Sequence, residues 1–258
     1  MTDKYIFDAK KEIENICEFI RNYYKQYNLK GAVLGISGGK DSAVVAGLFT
    51  KALGKENVVG LTLPCHSHES DKSDAQLVAD TFGFELLNID ITSTFDAFTT
   101  EVNKLGLAEP NSEATKNSDI NMKPRLRMAS CYYMAALLSA VKGGGYLVAG
   151  TSNASELYVG YFTKGGDSVH DIAVIADFTV AEVIAIGEEL GVPDTVIHKI
   201  PSDGLSGMSD EDKMGIKYAD IGKILRDEEV DPEEYAKIDK LYKGSRHKFN
   251  IPTYRRKQ

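Results

Sequence analysis

Six consecutive residues, Ser37-Gly38-Gly39-Lys40-Asp41-Ser42, combine two glycines, two hydroxyls, one cation and one carboxylate. Such a run suits a polyanion. Glycines remove the Cβ atoms that would hold a phosphate away. The exposed backbone N–H groups, with the N-terminus of a following helix, can then point at its oxygens. Ser37 and Ser42 add hydroxyl donors. Asp41 would repel a phosphate unless it held a cation, which suits Mg²⁺. The run is not a Walker loop, because the four-residue spacer and the terminal Gly-Lys-Ser/Thr are missing. The plainer alternative is a glycine turn whose helix is capped by the side chain of Asp41 or Ser42.

The flanking residues must position this run. Ala32-Val33-Leu34-Gly35-Ile36 is a short apolar segment of the kind found in buried parallel strands. A helix follows from about Ser42 to Leu53, ending near Gly54. The alternation continues with a strand at Val58–Leu63, a helix at Ser70–Phe82 and a strand at Phe84–Ile89. An amphipathic helix over about Tyr5–Tyr27 precedes them. Further on, the polar stretch Glu109–Asp119 predicts a mobile loop. A helix is expected over about Pro124–Val141, with the proline in its first turn. Gly143-Gly144-Gly145 would end it, ahead of a strand at Tyr146–Ala149. Thr179–Leu190 reads as a capped helix closed by Gly191 and Pro193. This pattern predicts a doubly wound α/β fold, a mostly parallel sheet with helices on both faces. Its ligands would sit at the carboxyl ends of the strands, where the Ser-Gly-Gly turn lies. With no internal repeat and no Ser/Pro-rich linker, residues 1–258 read as a single domain.

Composition narrows the class. With 43% hydrophobic and 26% charged residues, the chain can bury a sizeable core. No signal peptide and no membrane span is evident near the N-terminus. Cys17, Cys65 and Cys131 are odd in number and far apart, which argues against a disulfide framework and fits a reducing cytoplasm. A net charge of −8 disfavours nucleic-acid binding over the whole surface. Residues 243–258 are the exception. They carry six Lys or Arg and no acid, leaving 24 basic and 38 acidic residues elsewhere. On charge alone this basic tail is a mobile, solvated terminus; the functional alternative is a cationic flap over an anionic ligand. Cys65-His66-Ser67-His68 invites a zinc reading. It lacks a second Cys or His pair at zinc spacing, so a polar loop at a strand end is expected.

The Gly35-Ile36-Ser37-Gly38-Gly39-Lys40-Asp41-Ser42 stretch resembles the pyrophosphate loop of the N-type ATP pyrophosphatases, of adenine nucleotide alpha hydrolase-like fold. These cleave ATP between the α and β phosphates. They include NAD, GMP and asparagine synthetases and tRNA-thiolating enzymes. Further segments narrow the likeness. Gly150-Thr151-Ser152-Asn153-Ala154-Ser155-Glu156 is similar to the Gly-Thr-x-x-Ala-x-Glu of NAD synthetases. Tyr161-Phe162-Thr163-Lys164-Gly165-Gly166-Asp167, with Asp171 after it, resembles that family's Gly-Phe-Phe-Thr-Lys-x-Gly-Asp segment and its downstream Asp. Asn121 to Met128 matches its Asn-x-x-x-Arg-x-Arg-Met. Lys199-Ile200-Pro201-Ser202, Asp210-Glu211 with Gly215, and His247-Lys248 follow in order. The resemblance runs from about residue 13 to 250.

The resemblance implies roles. Asp41 and Glu156 would hold Mg²⁺, with Thr151 and Ser202 joining the loop in binding ATP. Arg125, Lys164, Asp171, His247 and Lys248 would contact deamido-NAD. It implies activation of the nicotinate carboxylate as an acyl adenylate, release of pyrophosphate, and attack by ammonia to give NAD and AMP. Positioning and electrostatics should dominate such a reaction, with Asp167 or Asp171 as the candidate that deprotonates ammonium. With synthetase-like sequence starting near residue 13, free ammonia is the expected nitrogen source. A homodimer is implied too, with the opening helix and the Arg125 helix as candidate contacts. One departure stands out. The family commonly carries Leu-Thr-Lys where this chain has Phe178-Thr179-Val180, and Val180 cannot hold a phosphate; Lys40 is a candidate replacement. Competing readings are a tRNA-thiolating relative, disfavoured by the absence of a clear catalytic cysteine pair or basic RNA face, and a non-catalytic nucleotide sensor.

Overall fold

A computed structural model describes residues 6–66, 69–199 and 209–256. Helix α1 (Ala9–Gln26) leads into strand β1 (Leu29–Gly35), then α2 (Lys40–Leu53), β2 (Val58–Thr62), α3 (Glu69–Phe82), β3 (Glu85–Asn88), α4 (Thr92–Asn103), α5 (Glu113–Lys142), β4 (Gly145–Gly150) and α6 (Ala154–Val159). A two-residue strand β5 (Ile172–Ala173) follows, then helices α7 (Val180–Leu190), α8 (Asp194–Ile197), α9 (Asp210–Met214), α10 (Tyr218–Leu225) and α11 (Pro232–Ser245).

The five strands form one parallel sheet in the order β3-β2-β1-β4-β5. The chain winds outward from β1 through β2 to β3, then returns to the other side of β1 for β4. The switch point therefore lies between β1 and β4, and the loops leaving those two strands share one crevice.

Strand alternation builds a core on each face. Ala32 and Leu34 of β1 and Ala149 of β4 point into a cluster with Ile13, Ile16 and Ile20 of α1, Val44, Leu48 and Phe49 of α2, and Val183 and Ile186 of α7. Val33 and Val148, one residue away, point the other way, toward Phe95 of α4 and Cys131, Ala135 and Leu138 of α5. Both faces are thus covered, as an all-parallel sheet requires. A third cluster, made of Val159, Tyr218, Ile221 and Ile238, gathers α6, α10 and α11.

The structure corrects four expectations. The stretch from Glu109 to Asp119 is not all loop, and Pro124 is not in a first turn. Helix α5 starts at Glu113, where Ser112 caps it by accepting from the Thr115 N–H, and Pro124 lies in its interior. The first turns of α5 are largely exposed, so they carry no apolar stripe for periodicity to detect. The proline has no N–H to donate to the Ile120 carbonyl one turn back. Gly166 packs against the backbone beside it, where a Cβ would come within 3.1 Å of Pro124 and Arg125 atoms. Helix α1 begins at Ala9 behind an Asp8 cap, leaving Ile6 outside it and exposed. The helix after the Ser-Gly-Gly turn starts at Lys40 rather than Ser42.

Gly187 shows how tightly α7 is set. A Cβ there would lie 2.3 Å from Ile197 Cδ1 and 2.9 Å from Val44 Cγ2, and Ile197 and Val44 are both fully buried. In an open helix, Gly→Ala gains about 1 kcal/mol. Here overpacking outweighs that gain, and G187A is expected to destabilise the chain by about 1–2 kcal/mol. A urea midpoint that rises on substitution would contradict this.

Candidate active site

The loop after β1 is braced from within. Ser42, almost fully buried, donates its hydroxyl to the Gly39 carbonyl at 3.0 Å and lies 3.2 Å from Ser37 Oγ. The Ser37 N–H donates to Ser42 Oγ at 3.3 Å, and the Gly39 N–H to Ser37 Oγ at 3.2 Å. Gly38 adopts φ 79°, a left-handed conformation that favours glycine. Gly39 is the helix N-cap and no side chain caps α2, so neither Asp41 nor Ser42 plays the capping part. The first turn of α2 keeps its N–H groups for a ligand.

The loop after β4 meets it through one amide. Asn153, fully buried, donates from Nδ2 to Asp41 Oδ1 at 2.9 Å. It also forms a reciprocal capping box with Glu156: the Glu156 N–H reaches Asn153 Oδ1 at 3.1 Å, and the Asn153 N–H reaches Glu156 Oε2 at 3.2 Å. Asp41 and Glu156, 115 positions apart in sequence, are thereby held beside one another. Burial, then the Asp41 charge, pushes the Glu156 carboxyl well above the usual range. Lys40 pairs with Asp41 Oδ2 at 3.1 Å and is itself buried.

A cavity of about 670 Å³ opens at the carboxyl ends of β1, β2 and β4. It is lined by Gly35, Ile36, Ser37, Thr151, Asp167 and Lys248 of the expected set. Its walls also hold His66, which the sequence marked only as part of a zinc-like segment, and Lys123, Arg127 and His170, to which it gave no role. Arg127 lies in the Asn121–Met128 segment, and its Nε donates to the Leu63 carbonyl just past β2, at 3.2 Å. The His170 ring packs where Gly150 lacks a Cβ, which would lie 2.4 Å away. His170 Nδ1 is buried and finds no partner among the described residues. Enclosure raises the Asp167 carboxyl above its ordinary range, against the pull of the Thr163 N–H, which it accepts at 2.8 Å, and of Lys248 and Arg127.

The other expected cations form a chain that binds carbonyls. Arg125 Nε and Nη2 donate to the Lys164 carbonyl at 3.3 and 3.2 Å, and Lys164 Nζ donates to the His247 carbonyl at 2.9 Å. Lys248 Nζ donates to the Gly160 and Phe162 carbonyls at 2.7 and 2.8 Å, and desolvation lowers its pKa. Among the described residues, none of Arg125, Lys164 and Lys248 has a carboxylate within ion-pair distance. Such a cluster suits an anionic ligand. Asp171 stands apart. It does not line the cavity, and its two oxygens accept from Tyr132 Oη at 2.9 Å and the Val148 N–H at 2.8 Å. Ser202 lies outside the described residues.

The beginning of the basic tail is tied down. Arg246 stacks on Tyr242 and Phe249, with Cζ 4.0 and 4.3 Å from the ring centroids, and donates to the Leu157 and Tyr158 carbonyls. Residues 251–256 run on, exposed. At the zinc-like segment, His66 Nε2 meets Asp96 Oδ1 at 2.8 Å; Ser67 and His68 lie outside the described residues. Among the described residues no group of three or more His, Cys, Asp or Glu could hold a metal unaided. Two carboxylates still fit Mg²⁺, which keeps waters and takes phosphate oxygens for its remaining positions.

A parallel α/β sheet with a braced glycine turn and a carboxylate pair at its switch point places the chain in the class of α/β proteins shaped to take a polyanionic ligand there. The sequence matches the NAD synthase family over residues 12–252. It is 40% identical to the NH₃-dependent NAD⁺ synthetase of Archaeoglobus fulgidus, over 94% of this chain and 95% of that one. The fold is similar to the NH₃-dependent NAD synthetase of Campylobacter jejuni, with a TM-score of 0.75 and 30% identity over 97% of this chain and 100% of that one. It is also similar to an NMN synthetase from Francisella tularensis, with a TM-score of 0.86 and 30% identity over 97% and 99%. The chain belongs to the NAD synthase family, among its ammonia-dependent NAD⁺ synthetases. Its activity is the ATP-using ligation that converts deamido-NAD to NAD.

Replacing Glu156 separates function from stability. Glutamine preserves the capping box and removes a buried charge facing Asp41. Because the folded-state pKa is raised, the charged carboxylate destabilises the fold at high pH, and the penalty fades as pH falls through that value. E156Q is therefore expected to raise Tm by about 2–4 °C near pH 8, and by less near pH 5. NAD formation should fall on the order of 100-fold. Thermal melts at both pH values check the sign.

Proposed function

We propose the following division of labour in this reaction. The N–H groups of Ser37 to Gly39 and the start of α2 hold the ATP phosphates, with Gly35, Ile36 and Thr151 beside them. Asp41 and Glu156 hold Mg²⁺. When bound, that ion neutralises charge on the departing pyrophosphate. Arg125, Lys164, His247 and Lys248 attract and orient the anionic acceptor. The observation that carries this reading is the Asn153 bridge, which joins the phosphate loop to the second carboxylate at the switch point.

The nicotinate carboxylate attacks the α-phosphorus and expels pyrophosphate; ammonia then attacks the acyl carbon, gives up a proton and expels AMP. What the chain supplies is position and field. Asp167 faces the cavity and is the carboxylate suited to receive ammonium; enclosure makes it a stronger base than an exposed Asp. The commitment of Asp171 to Tyr132 and Val148 argues against it in this role. D167N is expected to lower kcat/KM for ammonium by about 100-fold and to flatten the acid limb of its pH profile. An unchanged profile would remove Asp167 from the reaction.

The direct test mixes protein, ATP, Mg²⁺ and ammonium with each of two acceptors. Deamido-NAD turned over with the higher kcat/KM supports the reading. A second acceptor is favoured by one observation, the TM-score of 0.86 to an NMN synthetase. Nicotinate mononucleotide bears the same carboxylate and lacks the adenylate half. Preference for it would move the acceptor assignment and leave the ATP site standing.

The enzyme we envisage is a homodimer. Tyr133, Leu137 and Val141 stand one turn apart on α5 and are 71%, 44% and 73% exposed, an apolar stripe on the helix that carries Arg125. Wild-type protein should sediment as a dimer and L137D as a monomer. The three thiols, all buried and free, suit a cytoplasmic enzyme. Among the described residues no helix is long and apolar enough to cross a membrane.

A further inference from the structure

Lys40 is a lysine with little access to water: its side chain is 6% exposed, and its ammonium lies 3.1 Å from Asp41 Oδ2. It also lies 6.0 Å from the centroid of the Tyr218 ring. The buried Tyr218 hydroxyl finds no partner among the described residues. The Lys40 charge acts on Glu156 as well. A buried ammonium persists only where carboxylates face it. Here those carboxylates are the two that would hold the metal.

Their oxygens are divided unevenly. Asp41 Oδ1 and Glu156 Oε2 accept from Asn153. Asp41 Oδ2 is left to Lys40, and Glu156 Oε1 has no hydrogen-bond partner among the described residues. The oxygens not used for bracing are the ones a divalent cation would take, and an ammonium already occupies one of them. Both cations cannot share that oxygen at close range without strong repulsion.

We propose that Lys40 is a built-in counterion that holds the divalent-cation position between Asp41 and Glu156 until metal and nucleotide arrive together, when its ammonium passes from Asp41 Oδ2 to the phosphate oxygens. The proposal rests on the assignment of Asp41 and Glu156 to the metal. It gives the chain a means of coupling two ligands. Metal alone must displace the ammonium with no new anion to receive it. Nucleotide alone leaves the ammonium divided between carboxylate and phosphate. Together each relieves the other's cost, and the coupling is reciprocal. Val180, at the start of α7, packs with the same apolar cluster as Tyr218 and contributes no charge there. Lys40 thus acts as a positioning residue for the phosphates as well.

The test is Mn²⁺ binding to nucleotide-free protein, followed by electron paramagnetic resonance. It uses the wild type, K40Q, K40R and E156Q, with a thermal melt of each. K40Q should bind Mn²⁺ about tenfold more tightly than wild type, or better, and K40R should stay near wild type. Mn²⁺ should also restore Tm lost by K40Q in its absence. Affinity in K40Q equal to or weaker than wild type overturns the proposal. E156Q should lose binding; if it binds like wild type, the metal assignment itself fails, which is a separate result. Should K40Q not fold, wild-type protein still decides. Amine labelling of Lys40, read by mass spectrometry, should rise when saturating Mn²⁺ is added without nucleotide, and continued protection overturns the proposal.

Discussion

Two carboxylates held beside one another in a buried site repel each other, and the fold has to hold them together. Asn153 does much of this. Its side chain donates to Asp41 and caps the helix that carries Glu156, so one fully buried amide fixes both acids and the loops that bear them. The surrounding low dielectric makes those hydrogen bonds strong and makes losing one costly. Lys40 offsets part of the negative charge from the other side. The site is therefore strained electrostatically and well supported geometrically, a combination expected where function competes with stability.

The sheet makes this meeting possible. Only a strand order that reverses between β1 and β4 brings the residues after Gly35 next to those after Gly150. The two cores on either side of the sheet keep β1 and β4 at a fixed spacing, because each is packed on both faces. The third cluster does a different job. It docks α10 and α11 against α6. The chain then turns so that Arg246 and Lys248 can reach carbonyls at the end of α6 and beyond. Gly160, with φ 70°, leaves room for Ser245, whose Cβ would lie 2.2 Å from a Cβ at that position. The basic residues that charge alone assigns to a solvated terminus are thereby split. Arg246 and Lys248 are tied to carbonyls and Lys248 lines the cavity, whereas Lys243 and those at 255 and 256 are exposed.

What could be read directly from residues was local. The strand, glycine turn and helix around Ser37 follow from hydrophobic patterning and backbone freedom, and both signals lie within twenty residues of one another. The capped helix after Thr179 was legible for the same reason, since its capping box is a contact between Thr179 and Glu182. Strand β5 was missed because two residues carry no period. The early turns of α5 were missed because an exposed polar helix looks like a loop in sequence. His170 and Arg127 gave little signal alone. One matters through a buried atom without a partner among the described residues, the other through a carbonyl 64 residues away.

The sequence by itself determined the chemistry on offer: a glycine turn suited to phosphate, carboxylates suited to a hard cation, and lysines and arginines suited to an anion. Side-chain type and short-range spacing are enough for that. Tertiary structure decided which of those groups act together. It separated Asp167, which faces the cavity, from Asp171, whose oxygens satisfy a strand N–H and a tyrosine. It also set Lys40 against Asp41 and put a buried asparagine at the centre of the site. Those outcomes depend on the distance between residues more than a hundred positions apart, which only the winding of the sheet fixes, and on burial, which sets how strongly each charge is felt.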